Sequence, residues 1–414
     1  MIARVKFASA DVLQSDVMGA LEGIRVIEVG LLVQGPQASA LLSDLGADVI
    51  KVELSGFGDQ ARWVVFDPVS DPRSGFFVAC NRGKRSVALD LRTDDGAAVF
   101  KRLVAGADVV ISNFKPGTME GWGLGYDDLA VDNPGLVYGA GTTFGTIGPD
   151  VNREGADLAG QAAGGLIAST GVDGGDPTPI GVTIADHIAS QHLAAGVMAA
   201  LISRHRTGRG QKVETSLLGS QIWAQASEYT AYLLTGNLPG RANRGHPLIH
   251  GGYGIFRTSD GWVALVGVPP AARAAFYAAI NRPDIAADER FAPLLYSKSI
   301  RNELFAELAD SFSGRTTAEW CQSLHAIGVR YAPVRNYAEV VADESVYDNG
   351  YLVRAQHPDG YEVTVVGSPL RMSDTPVTPG VVAPELGQHT EEVLLEAGFT
   401  WDEIADLHSR NAFG

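Results

Sequence analysis

Residues 24–52, IRVIEVGLLVQGPQASALLSDLGADVIKV, determine the fold class. The β-branched runs at 24–29 and 48–52 predict two buried strands. Between them, the apolar positions at 37–45 predict a helix that ends at Gly46. A strand, a helix and a second strand in this order are typical of a parallel sheet whose two faces are covered by helices.

The same alternation continues along the chain. Further strands are predicted at 86–91, 108–112 and 136–140, separated by a helix from Thr93 to about Gly106 and a short one at 126–131. Beyond them we predict helices at 185–206 and 215–234, a hairpin at 255–266, helices at 301–312 and 317–327, a strand at 329–334 and a helix at 390–397. The plan is an α/β domain interrupted by a smaller domain near 228–330.

Composition excludes two classes of partner. The 414 residues carry 32 Lys and Arg against 48 Asp and Glu, a formal net charge of −16. A nucleic-acid binder or a polybasic membrane-surface protein would need a dominant basic surface, so we expect neither partner. The length favours two domains, and 49 glycines indicate much tightly turning backbone.

Location and metal content can also be anticipated. The chain has two cysteines, Cys80 and Cys321, too few for a disulfide framework or a thiolate metal site. The N-terminal segment carries Asp11 and Asp16 and has no continuous apolar core, so it does not resemble a secretion signal. The apolar run 193–202 is shorter than the roughly 20 residues of a membrane span. We therefore expect a soluble, cytoplasmic protein with no metal site.

Short catalytic motifs are mostly missing. The nearest approach to a dinucleotide fingerprint, Gly139, Gly141 and Gly145, has one residue too many and does not clearly open a helix. A glycine-rich loop at a strand end is the better interpretation.

Two carboxylates stand out in weakly charged, glycine- and alanine-rich surroundings. Asp186 begins the helix predicted at 185–206, and Asp157 lies in REGADLAGQAAGGL. Either could simply cap a helix or a turn. Alternatively, a carboxylate at a helix N-terminus stays ionised and can act as a nucleophile without a general base. The residues alone leave both roles open.

Two basic clusters interrupt the acidic background. The first, NRGKRS, holds Arg82, Lys84 and Arg85 beside a glycine, an arrangement that suits phosphate binding. The second, SRHRTGRGQK at 203–212, could equally supply the cations that stabilise the end of a helix.

With these pieces placed, the chain resembles the class III CoA-transferases, a family that includes formyl-CoA transferase, carnitine CoA-transferase and, by homology, α-methylacyl-CoA racemase. The resemblance runs from about Leu21 to His408. It rests on LEGIRVIEVG (21–30), NRGKRSVALDL (81–91), ADVVISNFKPG (107–117), NPGLVYGAGTTFG (133–145), the long stretch GVTIADHIASQHLAAGVMAALISRHRTGRGQKVETSLL (181–218), APVRNYAEVVAD (332–343) and LGQHTEEVLLEAG (386–398).

The resemblance implies a catalytic site. Asp186 matches the family's covalent nucleophile, and Asp157 matches a second acid near the active centre. Gly251 and Gly252, in HGGYG, match a glycine loop that covers the intermediates. The implied reaction moves CoA from an acyl-CoA to a carboxylic acid through mixed-anhydride and aspartyl-CoA intermediates, so coenzyme A is a substrate and no permanently bound cofactor is expected.

The resemblance also implies where CoA binds. Lys84 and Arg85 are assigned to its phosphates or adenine, with Asn113, Phe114 and Lys115 lining the same cleft. Two positions depart from the family, Leu54 and Gly121, where relatives often carry Arg. Some contacts with CoA must therefore differ.

Other functions remain as alternatives. The family's racemases place a histidine before the earlier aspartate, but Ala156 stands there in this chain, which disfavours racemisation. A hydrolytic or decarboxylase-like relative and a CoA-binding protein without turnover are the remaining candidates. For the acceptor, Arg241, Arg244, His246 and His250 weakly suggest a dicarboxylate or a hydroxy acid.

The family architecture implies a doubly wound, Rossmann-like large domain built from both chain ends and a smaller α+β middle domain. We predict an N-terminal extension (1–20), the first part of the large domain (21–205), a linker helix (206–227), the small domain (228–330), and a linker with the rest of the large domain (331–414). Two such chains are expected to form an interlocked homodimer.

Overall fold

The computed structural model describes residues 18–242, 244–249, 252–291, 298–410 and 412–413. These residues form two compact units. The first comprises the described residues of Met1–Gly160, Thr183–Ser220 and Glu344–Gly414, and the second comprises those of Gln161–Val182 and Gln221–Asp343. Both ends of the chain thus contribute to the first unit, whereas the domain bounds predicted from the sequence stay a prediction.

The elements are numbered in chain order. The strands are β1 (Arg25–Glu28), β2 (Asp48–Glu53), β3 (Arg85–Ala88), β4 (Val109–Ser112), β5 (Val137–Thr142), β6 (Lys212–Ser216), β7 (Tyr253–Arg257), β8 (Trp262–Val266), β9 (Tyr331–Pro333), β10 (Leu352–Gln356) and β11 (Glu362–Val366). The α-helices are α1 (Gln34–Asp44), α2 (Gly75–Asn81), α3 (Asp94–Ala105), α4 (Thr118–Gly121), α5 (Tyr126–Leu129), α6 (Asp157–Ala163), α7 (Leu166–Ser169), α8 (Ile184–Thr207), α9 (Leu217–Ala224), α10 (Ala226–Thr235), α11 (Arg273–Ala279), α12 (Pro283–Ala287), α13 (Lys298–Ala309), α14 (Thr317–Ala326), α15 (Tyr337–Val341), α16 (Glu344–Asp348), α17 (Thr390–Glu396) and α18 (Trp401–Ser409). Short 3-10 helices lie at Gln60–Trp63, Pro270–Ala272 and Glu289–Phe291.

A six-stranded parallel sheet organises the first unit. Its strand order is β3-β2-β1-β4-β5-β6, the order of a doubly wound sheet whose direction of winding reverses between β1 and β4. Ile27 at the centre pairs with Ile50 on one side and Val110 on the other, and β1 and β4 are buried almost throughout. The predicted parallel α/β class is therefore confirmed.

The edge strand β6 was not predicted. The sequence predicts helices at 185–206 and 215–234 in this region, but Lys212–Ser216 pairs in parallel with β5. Its Lys212 and Glu214 face solvent, so the strand has no run of apolar residues to mark it. The helix predicted at 215–234 is also divided into α9 and α10.

Close packing explains the glycines of β5. A Cβ at Gly139 would lie 3.1 Å from Val197 and 3.2 Å from Leu193, two apolar side chains of α8. A Cβ at Gly141 would lie 2.6 Å from Oε1 of Gln34. These glycines let α8 and the side chain of Gln34 approach the strand. Close packing therefore explains them without a bound dinucleotide.

The C-terminal segment completes the core of the first unit. Leu394 of α17 and Leu407 of α18 belong to the same buried cluster as Val87 of β3 and Phe100 of α3. The hydroxyl of Ser86 accepts a hydrogen bond from the amide of Gly387 at 3.0 Å, which fixes this segment to β3. The helix predicted at 390–397 is present as α17, whereas the antiparallel hairpin β10–β11 was not predicted.

The second unit has its own sheet and core. Strands β7, β8 and β9 form an antiparallel sheet in that order, which confirms the predicted hairpin. Aromatic side chains fill the core, with Phe312 packed against both Phe256 and Trp320.

Nowhere in the described ranges does a helix have the length and apolar character needed to cross a membrane.

Candidate active site

A cavity of about 360 Å³ opens in the first unit at the carboxyl edge of the sheet. Leu31, Asn113 and Thr142 contribute to its wall from the ends of β1, β4 and β5, and Asp186 contributes from the start of α8. Parallel α/β sheets bind ligands at this edge, close to the point where the winding reverses. The cavity is therefore the natural place for a reactive carboxylate.

Asp186 is the aspartate among the described residues that line this cavity. It lies in the first turn of α8 and is partly buried. Burial, together with the nearby negative charge of Asp157, raises the pKa of Asp186 to about 7. The helix N-terminus favours the carboxylate form of Asp186, but burial and the charge of Asp157 oppose it more strongly, so the pKa is raised.

Asp157 caps the helix that carries Asp186. Its Oδ1 accepts hydrogen bonds from the backbone amides of Ala185, at 2.7 Å, and Asp186, at 3.2 Å. These amides belong to the first turn of α8, which has no side-chain cap from its own preceding residue, Thr183. The capping role left open for Asp157 is thus what the structure shows, and the cap fixes the backbone of Asp186.

The charge of Asp157 should set the pH dependence of the reaction. Because Asp186 attacks only as a carboxylate, kcat/KM should rise with pH and level off above about pH 7. Replacing Asp157 with Asn keeps an oxygen acceptor for the helix amides but removes the negative charge that raises the pKa of Asp186. The acidic limb of the kcat/KM profile should then move to lower pH, and an unmoved limb would contradict this coupling.

The three predicted cleft residues, Asn113, Phe114 and Lys115, do line the cavity together with Asp186. The side chain of Asn113, however, serves the backbone. Its Oδ1 accepts from the amide of Leu31 at 2.7 Å, and its Nδ2 donates to the carbonyl of the same residue at 2.9 Å. Asn113 therefore fixes the loop after β1, while Lys115 is exposed at the rim.

A second cavity of about 190 Å³ lies beside the first, at the carboxyl ends of β1, β2 and β3. Both cavities are lined by Leu31, Gln60 and Phe114. The second is mostly apolar, and its wall includes Leu54, the position where relatives often carry Arg. A cation is still present there, because Arg92 lines the same cavity; it is paired with Asp90 at 2.7 Å, but its side chain is 59% exposed.

The structure contradicts the predicted phosphate contact of Lys84. Its ammonium group is fully buried and donates to Glu28, to the carbonyl of Pro36 and to Asn81, each within 2.9 Å. All three of its hydrogens are therefore engaged. The residue also precedes β3, at the amino end of the strand, whereas both cavities lie at carboxyl ends. Basic residues beside a glycine do not by themselves show at which end of a strand they lie.

Arg85 is engaged in the same way. Its guanidinium group is paired with Asp48, Glu392 and Glu396 at 2.7 to 2.9 Å. The residue starts β3 and lines neither cavity. Its predicted contact with CoA is therefore also inconsistent with the structure, and Arg85 instead ties β3 to α17.

A buried ionic cluster, not predicted from the sequence, supports the loop after β1. Lys51 has no exposed side-chain surface, and its Nζ lies 3.0 Å from Glu28 and 2.9 Å from Asp59. The other oxygen of Asp59 accepts from the amide of Leu32, which has a left-handed backbone with φ of 60°. The cluster Glu28–Lys51–Asp59 thereby holds a strained residue in the wall of the larger cavity.

The predicted glycine loop belongs to the second unit. Gly252 is buried and has φ of 81°, whereas Gly251 and His250 lie outside the described residues. The cations suggested for an acceptor carboxylate are mostly engaged. Arg241 donates to backbone carbonyls such as that of Ala168 at 2.8 Å, His246 is 2.9 Å from Glu228, and Arg244 stacks on Trp262.

Nothing in the described ranges suggests a metal centre. No group of three or more His, Cys, Asp or Glu side chains in those ranges is arranged to hold a metal ion. The charged side chains that line the larger cavity are the carboxylates Asp186 and Glu154 and the cations Lys115 and Arg153.

Known proteins give a consistent comparison. The sequence profile described as "CoA-transferase family III" matches residues 21–390. The chain is 36% identical to a succinyl-CoA:mesaconate CoA-transferase of Haloarcula hispanica, over 92% of this chain and 97% of the relative. It is 32% identical to a succinyl-CoA:glutarate CoA-transferase of Mus musculus, over 94% and 89%. The crystal structure of a CAIB/BAIF family protein from Brucella suis superposes with a TM-score of 0.81 at 33% identity, covering 92% of this chain and all of that one.

Proposed function

This chain belongs to CoA-transferase family III, and on that premise we propose that it transfers CoA from succinyl-CoA to a second dicarboxylic acid with Asp186 as the covalent nucleophile. The choice of substrates follows the relatives, which are named for succinyl-CoA with mesaconate or glutarate. The observation that supports the choice of nucleophile is the position of Asp186. It is the aspartate that lines the cavity at the carboxyl edge of the sheet.

The proposed reaction has four steps. The carboxylate of Asp186 attacks the thioester carbonyl of the donor, which releases CoA thiolate and forms a mixed anhydride. The thiolate attacks the aspartyl carbonyl, releasing the donor acid and leaving an aspartyl-CoA thioester. The acceptor carboxylate then displaces the thiolate to form a new anhydride, and the thiolate attacks the acceptor carbonyl to give the product and free Asp186.

Each intermediate is sensitive to water, so the site must exclude it. We assign this role to the glycine loop that contains Gly251 and Gly252. Backbone amides of such a loop can also approach a developing oxyanion closely, because glycine has no side chain to keep them away.

We assign CoA to the two neighbouring cavities. A thioester at Asp186 places the acyl group in the larger cavity, and the adenine end of CoA then has the smaller, apolar cavity available. Phe114 forms part of both walls, and Lys115 and Arg92 are the cations placed for phosphate groups. In this proposal Asn113 positions the loop after β1 and does not itself bind CoA.

We further propose that the enzyme is an interlocked homodimer. Large apolar side chains between α9 and the following loop are unusually exposed, including Trp223 at 71%, Leu234 at 80% and Leu238 at 81%. Apolar surface of this kind is typical of a protein interface.

Activity should therefore depend on assembly. As the enzyme is diluted, specific activity should fall together with the dimer fraction measured by analytical ultracentrifugation. A folded monomer that retains full specific activity would contradict the proposed dimer.

The proposed function can be tested by transfer. The enzyme is incubated with succinyl-CoA and each of a panel of carboxylic acids, and new acyl-CoA is measured by chromatography. Formation of mesaconyl-CoA or glutaryl-CoA in equal amount to the succinate released is the expected result. Release of free CoA without a new thioester would indicate a hydrolase, and exchange of the α-hydrogen without an acceptor would indicate a racemase.

A further inference from the structure

A transferase for dicarboxylic acids must also hold the carboxylate that takes no part in the chemistry. We propose that Arg153 binds this distal carboxylate and thereby selects dicarboxylic over monocarboxylic acids. The proposal rests on the proposed function, since it names the group that would recognise the substrates of that reaction.

The wall of the larger cavity carries charges of both signs. Among the described lining residues, the acids are Asp186 and Glu154, and the cations are Lys115 and Arg153. A dianionic acid beside a carboxylate nucleophile needs a positive partner, because two like charges in a partly buried site repel each other.

Arg153 begins the segment of the cavity wall that leads along the chain to the cap of α8. It is followed directly by Glu154, Gly155 and Ala156, which also line the cavity, and then by Asp157, the cap of α8. Lys115, in contrast, adjoins Phe114, which forms part of both cavities. Lys115 is therefore assigned to CoA, and Arg153 to the acyl group.

The guanidinium group of Arg153 is held in place but is not saturated. It stacks over the ring of Phe144, another residue of the cavity wall, with 4.8 Å between its central carbon and the ring centroid. Its nearest acidic partner is Asp150 at 3.7 Å, and 62% of its side chain is exposed. A planar group fixed by stacking can still offer two parallel N–H donors to a carboxylate.

The test compares kcat/KM for dicarboxylic and monocarboxylic acceptors of the same chain length, such as glutarate and valerate, in the full-length enzyme. In Arg153→Gln the ratio of the two values should fall by about 10- to 100-fold, since a charged hydrogen bond to substrate is lost. Arg153→Lys should restore part of the ratio. Arg209→Gln, an exposed arginine after α8, serves as a control for the change in net charge.

Lys115→Gln provides the discriminating comparison. It should raise the KM for acyl-CoA donors of every acyl group and leave the ratio of the two acceptors unchanged. An unchanged ratio in Arg153→Gln, with the protein folded and transferring CoA, would overturn the role of Arg153 while the proposed function stands. Absence of transfer by the unaltered enzyme would instead overturn the proposed function.

Discussion

Replacing Asp186 with Asn is expected to lower kcat by roughly 10⁴-fold or more, the range seen when a covalent nucleophile is removed. The amide has nearly the shape of the carboxylate, so helix α8 and its cap should stay intact, but it cannot form an anhydride with the acyl group. The measurement is single-turnover transfer from succinyl-CoA, with circular dichroism to show that the fold is kept.

Asp157→Asn is the matched control for this substitution. It removes a carboxylate that neighbours Asp186 but keeps a side-chain oxygen for the amides of Ala185 and Asp186. It should therefore shift the pH profile and retain much of the turnover. Equal losses in the two variants would indicate that both acids take part directly, and normal turnover of Asp186→Asn would rule out the covalent role.

Replacing Lys51 with Met is expected to lower the free energy of unfolding by about 3–5 kcal/mol, the usual cost of removing one partner from a buried ion pair. Burial opposes the charged form of Lys51, but the carboxylates of Glu28, Asp59 and Glu53 outweigh it and hold the pKa of Lys51 above its ordinary value. Without the ammonium group, Glu28 keeps its contact with Lys84, while Asp59 loses its buried cation.

Urea unfolding at neutral pH measures this loss. Arg73→Gln is the control, because the Arg73–Asp71 pair is about half exposed and its removal should leave the midpoint nearly unchanged. We also expect weaker activity in Lys51→Met, since Asp59 fixes the amide of Leu32 in the cavity wall. Unaltered stability would mean that the cluster Glu28–Lys51–Asp59 contributes no net ionic stabilisation.

Much of the sheet could be predicted from the sequence, because its central strands are buried on both faces. Continuous β-branched runs such as 24–29 and 48–52 then mark the strands, and glycine marks the helix ends. The edge strand β6 and the hairpin β10–β11 have polar residues on an exposed face, so they lack the continuous β-branched runs that mark the central strands. The family resemblance, which covers most of the chain, is confirmed by the comparison with known proteins.

The candidate site was only partly predictable. Asp186 and Phe114 lie in one cavity because Phe114 follows β4 and Asp186 begins α8 at the same edge of the sheet. The order of strands and helices in the sequence implies this placement. Lys84 was misassigned, since composition cannot show that a lysine turns inward to neutralise Glu28. The ionic cluster and Arg153 depend on contacts between distant or irregular segments, and no local spacing in the sequence indicates them.

The most direct test of the covalent mechanism is to look for CoA on Asp186. The enzyme is mixed with succinyl-CoA without an acceptor, quenched in acid and digested, and the peptide that contains Asp186 is analysed by mass spectrometry. We predict a CoA thioester on that peptide, which disappears when an acceptor acid is added and never forms in Asp186→Asn. Rapid transfer with no adduct on Asp186, or an adduct on another residue, would contradict the mechanism.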